Sequence, residues 1–284
     1  MNRKPSLESL ISLLDDEDEN VAVSAMAELL NRESELGEVL AELQEGENAL
    51  ARRRAHQLQA AITLRRRRRA FAAKLDAQKV DLIDGLIDVH LQWYDNDSRP
   101  GLVQLWTDFR LEAQRFPQRT LENLSYFMRK SGFSAMAEST LHPEYYCIGP
   151  ILENGIGASS ILSGVVLEIA DPTFKLQLVR VMGEFALYDG NGRLLLPGRN
   201  FQVCAAPGIE HCDFWDRRML LRFASTTLFA AAVNSDSFRY VLTIAQALSG
   251  TEGDESLDYM PYPYYPAEED GPEEPGSEES GRDE

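Results

Sequence analysis

The chain has 284 residues, of which 44% are hydrophobic, and its 28 Lys and Arg against 46 Asp and Glu give a formal net charge of −18. This length accommodates one large domain or two smaller ones, and the apolar content predicts a buried core. The acidic balance argues against a general binder of nucleic acid or of anionic membranes, because either requires a dominant basic surface.

Neither a membrane span nor a disulfide framework is predicted. No stretch of about 18 uninterrupted apolar residues occurs. The basic start of the chain runs into acidic residues without a small-residue cleavage site, which indicates a helix rather than a signal peptide. The three cysteines, Cys147, Cys204 and Cys212, are too few and too irregularly spaced for a disulfide framework or a zinc knuckle. We therefore expect a cytoplasmic protein with reduced thiols and with neither a cofactor nor a metal ion.

Residues 5–75 predict helices throughout, within a helical region that we place at residues 1–78. Apolar residues recur at the spacing of one helical face, at Leu7, Leu10, Ile11 and Leu14 and again at Ala22, Ala25, Met26, Leu29 and Leu30. The acidic turn between the two sets supplies Asp and Asn residues that can cap the second helix. The pair resembles one HEAT-type helical hairpin, although a solenoid requires about three copies.

A basic segment follows this hairpin and holds eight arginines within 18 positions. They are Arg52, Arg53, Arg54, Arg65, Arg66, Arg67, Arg68 and Arg69. Consecutive arginines point in every direction around a helix, so the segment is predicted to be largely exposed. One interpretation is a site for an acidic partner, phosphates or RNA. The other is a solvated connecting helix, which the lack of interleaved aromatic residues favours.

Residues 79–213 are predicted to form the central part of the protein. An amphipathic helix runs from Ile83 to Tyr94, and His90 lies on its apolar face, where a core histidine is expected. The Asp189–Gly192 turn and the alternating pattern around it predict two or three antiparallel strands within residues 173–197. Further helices are predicted at 101–116, 118–131 and 159–170, with a loop-like stretch at 133–157 and a Gly- and Pro-containing stretch at 197–213.

The C-terminal part is predicted to contain a helix pair at 214–250 and a tail at 251–284. The tail has 13 acidic residues and one arginine, a net charge of −12, and few aliphatic residues. Such a composition predicts disorder. A flexible chain of this length has a root-mean-square reach of roughly 30–35 Å. The tail is therefore hypothesised to contact and shield the arginine-rich helix, within the same molecule or in a neighbouring one. The alternative is a tail that only aids solubility.

Four stretches in chain order resemble those of a known family. They are LENLSYFMRKSGF, EYYCIGPILENGIGASSILSGVVLEIA, VRVMGEFALYDGNGRLLLPGRN and RRMLLRFASTTLFAAAVNSDSFRYVLTIAQALSG. Over residues 80–250 the chain resembles the bacterial SirB-type transglutaminase-like proteins. The resemblance implies a helical N-terminal region, a reduced transglutaminase-like core over residues 79–213 and a tetratricopeptide-like helix pair over residues 214–250.

The resemblance also implies where catalytic residues would lie. The wider superfamily uses a Cys at the N-terminus of the core helix, a His on the adjacent strand and an Asp on the next strand. In this sequence those positions are Gly157, Glu184 and Leu196, and none of the three residues can perform the corresponding role. The chain is therefore interpreted as a pseudoenzyme, with no catalytic residue assigned.

Other residues offer weaker candidate sites. Cys147 precedes the core helix, with His142 five residues before it, and is one candidate nucleophile. The other candidate nucleophiles are Ser159 and Ser160. The adjacent pair His211 and Cys212 lacks the spacing of a metal site. The Gly-x-Gly of residues 155–157 lacks the rest of a dinucleotide-binding fingerprint.

The sequence as a whole predicts a mainly helical α+β fold with a short antiparallel sheet. The favoured function is a non-catalytic transglutaminase-like scaffold that serves as a protein-interaction or regulatory module for an unknown protein partner. The first alternative is a cryptic cysteine hydrolase or acyltransferase that uses Cys147. The second is a polyanion- or RNA-binding module that uses Arg52–Arg69.

Overall fold

The computed structural model describes residues 5–77, 80–137, 139–235 and 238–248. The acidic tail and its hypothesised contact with the arginines lie outside these ranges. The chain divides into two compact units between Thr63 and Leu64. This division falls within a long helix, Ala49–Asp76, whereas the sequence places a boundary after residue 78.

The first unit is a set of helices around a small apolar core. They are α1 (Leu7–Ser12), α2 (Glu19–Leu30), α3 (Gly37–Glu45) and the beginning of α4 (Ala49–Asp76). The side chain of Ser6 accepts a hydrogen bond from the Ser9 amide at 3.2 Å, and that of Asp18 accepts one from the Asn20 amide at 2.9 Å. The acidic turn thus caps the second helix as predicted. The predicted apolar face packs inward, with Leu10, Leu14, Ala25, Met26, Leu29 and Leu30 buried together.

The second unit holds the rest of α4 and, among the described residues, seven further α-helices. They are α5 (Leu82–Trp93), α6 (Arg99–Gln114), α7 (Leu121–Lys130), α8 (Ile148–Asn154), α9 (Ser159–Ile169), α10 (Arg217–Asn234) and α11 (Phe238–Leu248). Side-chain caps fix where four of them begin, at Asp81, Ser98, Thr120 and Asp216. Helix α9 is buried almost all round, as the predicted core helix should be.

In the described ranges, two sheets accompany these helices. The first pairs β1 (Ser134–Met136) with β2 (Ile156–Ala158) in parallel. The second is antiparallel, with strand order β6-β5-β4-β3-β7. Its strands are β3 (Gln177–Val181), β4 (Glu184–Tyr188), β5 (Arg193–Leu196), β6 (Gln202–Ala205) and β7 (Cys212–Trp215). The chain is therefore a mainly helical α+β protein.

The predicted sheet was too small. Residues 197–213, expected as a Gly- and Pro-containing connection, include β6 and the first residues of β7, which form the two edges of the five-stranded sheet. Each of these strands has only four residues, which is too short for alternation to be recognised in the sequence. The loop expected at 133–157 likewise contains β1, α8 and the beginning of β2.

The two faces of the large sheet bury different sets of residues. Leu178, Phe185 and Leu195 belong to the main core, together with the apolar residues of α9. The intervening residues Val179 and Leu196 belong to a second, smaller cluster on the other face. Helix α9 also packs closely against α10, because a Cβ at Gly164 would lie 2.8 Å from Leu220 Cδ2. Among the described residues, no helix is both long and apolar enough to cross a membrane.

Candidate functional site

The N-terminus of α9 is the place where the resemblance puts a nucleophile. Gly157 lies in β2, opposite Ala135 of β1 and two residues before α9 begins. A Cβ atom at Gly157 would lie 2.9 Å from Cγ1, 3.0 Å from Cδ1 and 3.2 Å from Cγ2 of Ile151. Ile151 is itself buried in α8. The space that a cysteine side chain would need is therefore occupied by Ile151.

Glu184, at the position where the resemblance places a histidine, forms an ion pair. Glu184 begins β4, and Arg199 donates to its two carboxylate oxygens, from Nε at 2.9 Å and from Nη2 at 3.1 Å. The carboxylate raises the pKa of Arg199 above its ordinary value, so the guanidinium keeps its charge. The neighbouring Gly198 lies beside the N-terminus of α9, since its Cβ would be 3.7 Å from Ser159 Cβ. A carboxylate engaged in a bidentate pair is a poor general base.

Leu196, at the position where the resemblance places an aspartate, lies on the other face of the sheet from α9. Leu196 ends β5 and packs with Val179 and Ala186 in the smaller cluster, whereas the adjacent Leu195 belongs to the core that contains α9. Because successive side chains of a strand point to opposite faces, Leu196 is directed away from α9. The structure therefore brings the turn 197–199 to α9 but does not join the three predicted positions into one site.

The chain that follows β5 is held in an unusual backbone conformation. Asn200 and Phe201 have positive φ angles of 51° and 55°, and Phe201 is fully buried. Each such residue costs about 1–3 kcal/mol, which surrounding contacts must offset. One such contact is the hydrogen bond from Ser125 Oγ to the Phe201 carbonyl oxygen, at 2.6 Å. Tertiary contacts thus fix the course of residues 197–201 past the end of α9.

Cys147 does not have the surroundings of a nucleophile. It immediately precedes α8 and is fully buried. Burial raises the pKa of its thiol far above the ordinary value, and the carboxylates of Asp97 and Glu144 act in the same direction. A reactive cysteine needs the opposite environment, partly exposed and electropositive. His142 is exposed and lies 3.8 Å from Glu144, so it stands with a carboxylate at the surface.

A different histidine lies beside the Cys147 segment. His90 is buried, as its place on the apolar face of α5 predicts, and a Cβ at Gly149 would lie 2.7 Å from its Cε1. Its Nε2 is 2.9 Å from Asp97 Oδ2. Burial lowers the pKa of His90, although Asp97 and Glu153 partly oppose this effect. The hydrogen bond between His90 and Asp97 could not be predicted from the sequence, because it depends on how the loop after α5 folds back.

The burial of His90 predicts a pH-dependent stability. The unfolded chain binds a proton at this imidazole near pH 6.5, whereas the folded chain does so only at lower pH. The contribution of His90 to the free energy of unfolding should therefore be fully present above pH 6.5. It should decrease as the pH falls from there towards the pKa of His90 in the folded chain. Urea denaturation between pH 8 and pH 5 should show this decrease in the wild type and a smaller one in His90→Gln. The exposed His142→Gln variant serves as the control and should show the wild-type decrease. A decrease in His90→Gln as large as that of the wild type would contradict the attribution of this pH dependence to His90.

The eight predicted arginines are not equivalent. Arg52, Arg53, Arg66, Arg67 and Arg69 are exposed and Arg65 is partly exposed, as predicted, but Arg54 and Arg68 are buried. In the first unit, Arg54 Nη1 donates to the carbonyl oxygens of Leu14 at 3.1 Å and Asp16 at 2.5 Å. In the second unit, Arg68 Nη2 donates to Thr243 Oγ1 at 2.7 Å. These two guanidinium groups stabilise the fold and are not accessible to a polyanion, which corrects the prediction for both residues.

No group of three or more His, Cys, Asp and Glu side chains suited to a metal ion occurs within the described ranges. The Cys212 thiol is buried and lies 3.5 Å from the Gly208 carbonyl oxygen, while His211 lies on the surface, 3.7 Å from Glu210. The two neighbours thus occupy different surroundings.

Comparisons with protein-family models, with curated proteins and with solved structures find no match for this chain. The likeness to the SirB-type proteins therefore stays a hypothesis. What the described residues define is an α+β protein with a buried central helix and a crowded, ion-paired region at that helix's N-terminus.

Proposed function

We propose that the chain is a non-catalytic transglutaminase-like scaffold that serves as a protein-interaction module. The observation that carries this proposal is the packing at Gly157, where Ile151 fills the space of the expected nucleophile. The Arg199 pair at Glu184 and the outward position of Leu196 support it as well. The burial of Cys147 speaks against a substitute thiol, because a protonated thiol without access to solvent is a poor nucleophile.

One end of the large sheet offers a surface for a partner. Met182 follows β3 directly and is 85% exposed, and Ile209, three residues before β7, is 60% exposed. Val181 pairs with Cys212, so both side chains lie at the same end of the β3–β7 pair. Strand β7 also forms an edge of the sheet and carries the exposed Phe214. Exposed apolar side chains beside an edge strand favour binding of an extended segment of another protein.

The backbone at Met182 supports a role for its side chain. Met182 has a φ angle of +49°, a conformation that turns of this kind normally assign to Asn, Asp or Gly. A large apolar residue therefore occupies a position where neither turn geometry nor burial favours it. Contact with a partner would account for this choice, because the thioether side chain adapts well to apolar surfaces.

Replacement of Met182 tests this surface. The full chain is immobilised as wild type, Met182→Lys and Met219→Lys, and proteins captured from native lysate are quantified by mass spectrometry. Met219 is the matched control, since it is also exposed but follows the other end of β7. We expect at least one captured protein to bind Met182→Lys about tenfold more weakly, as for an interface anchor, and to bind Met219→Lys unchanged. Equal capture by all three forms would contradict the proposed surface.

A further inference from the structure

A cavity on the second unit is separate from the region around α9's N-terminus. It has a volume of about 420 Å³ and lies between the end of α6, the loop that follows it and the chain that leaves α9. This volume falls within the range of small-molecule sites, about 300–1,000 Å³. Its polar wall includes Arg110, Arg115, Arg119, Glu168 and Asp171. The balance among these five charges decides what the cavity can bind.

Both carboxylates of this wall already have a cationic partner. Arg217 Nε lies 2.7 Å from Glu168 Oε1, and Arg119 Nε lies 2.8 Å from Asp171 Oδ2. Hydrogen bonds from Thr173 and from Arg119 lower the pKa of Asp171 to about 2, so this pair remains ionised at neutral pH. Each acidic group in the wall is thus neutralised by an arginine of its own.

Among the described residues, two guanidinium groups of the wall have no carboxylate partner. In the described part of the chain, the side chains of Arg110 and Arg115 make neither an ion pair nor a hydrogen bond, although both line the cavity. The cavity therefore has a surplus of positive charge, in a protein whose formal net charge is −18. Guanidinium groups bind carboxylates and phosphates through paired, charge-assisted hydrogen bonds.

The remaining wall combines apolar side chains with glutamines. Phe116, Pro117 and Ile169 supply apolar surface. The buried Gln118 donates from Nε2 to the Ala113 carbonyl oxygen at 3.2 Å, which fixes this wall. Its Oε1 atom is buried and accepts no hydrogen bond among the described residues.

We infer that this cavity binds a small organic anion, whose carboxylate or phosphate contacts Arg110 and Arg115 and whose apolar body packs against Phe116 and Ile169. This inference does not depend on the proposed scaffold function, because none of these residues belongs to the region around Gly157 or to the surface around Met182. The anionic class of the ligand follows from these two guanidinium groups, and the apolar side chains of the wall favour an organic anion over inorganic phosphate.

Titration calorimetry on the full chain tests the inference with phenyl phosphate, benzoate, benzyl alcohol and inorganic phosphate as probes. We expect phenyl phosphate or benzoate to bind more tightly than both benzyl alcohol and inorganic phosphate. Comparing the two organic anions distinguishes a phosphate from a carboxylate ligand. The double variant Arg110→Gln/Arg115→Gln should weaken binding of the better probe at least about tenfold, as expected for the loss of charge-assisted hydrogen bonds.

The matched control is Arg129→Gln/Arg222→Gln, which removes the same charge from two exposed positions outside the cavity. It should leave binding unchanged. Equal weakening in both double variants would mean that net charge alone attracts the probes and would overturn the inference. It would also be overturned if inorganic phosphate bound as tightly as phenyl phosphate, or if no probe bound the wild type.

Discussion

Replacing Arg54 by methionine should lower the free energy of unfolding of the first unit by about 2–4 kcal/mol. The guanidinium group is buried and supplies hydrogen bonds to the carbonyl oxygens of Leu14 and Asp16, which close the turn between α1 and α2. Methionine keeps most of the aliphatic stem but donates no hydrogen bond. Both carbonyl groups would then lose a charged donor.

Urea denaturation followed by circular dichroism measures this effect, and the adjacent Arg53 provides the matched control. Arg53 is exposed, so Arg53→Met should change the free energy of unfolding by no more than about 0.5 kcal/mol. If both variants had the same denaturation midpoint, Arg54 would not be the link that holds the α1–α2 turn. The basic segment would then be a surface feature throughout, as its sequence suggests.

Introducing the family's nucleophile should destabilise the second unit rather than create an enzyme. In Gly157→Cys the new Cβ would lie 2.9–3.2 Å from three carbon atoms of the buried Ile151. Overpacking of this kind costs about 1–3 kcal/mol. Gly198→Cys is the matched control, because its Cβ would be 3.7 Å from Ser159 Cβ, an ordinary contact. We expect the control to retain nearly the wild-type stability.

A double-mutant cycle with Ile151→Ala identifies the cause of this destabilisation. Ile151→Ala alone leaves a cavity and should cost about 2–5 kcal/mol. In that background the added cysteine side chain finds space, so Gly157→Cys should cost clearly less than in the wild type. Equal costs in the two backgrounds would contradict the steric account of Gly157.

The regular parts of this fold were accessible from the sequence because they rest on local patterns. The spacing of apolar residues predicted α5 and α11, a continuous apolar stretch predicted α9, and the acidic turn predicted the cap at Asp18. The short edge strands β6 and β7 were not predicted, because their pairing is decided by neighbours distant in sequence. The sequence pattern carries no information about such partners when a strand has only four residues.

The contacts of the candidate site were even less predictable from the sequence than the edge strands. The positions Gly157, Glu184 and Leu196 follow from a resemblance, but the packing of Ile151 against Gly157 and the pair between Arg199 and Glu184 are tertiary contacts. The burial of Arg54 among eight similar arginines is also decided by distant backbone carbonyl groups. Composition identified the arginines as a group, and only the packed structure separates their roles.

The central proposal, that this chain performs no thiol- or hydroxyl-dependent acyl chemistry, is tested most directly by a turnover assay. Fluorogenic amide and ester substrates are incubated with wild type, Cys147→Ala and Ser159→Ala, with and without a primary amine as acceptor. We predict that all three proteins give the rate of the buffer alone, because Cys147 is buried and Gly157 carries no side chain. Turnover by the wild type that disappears in Cys147→Ala or in Ser159→Ala would contradict the account.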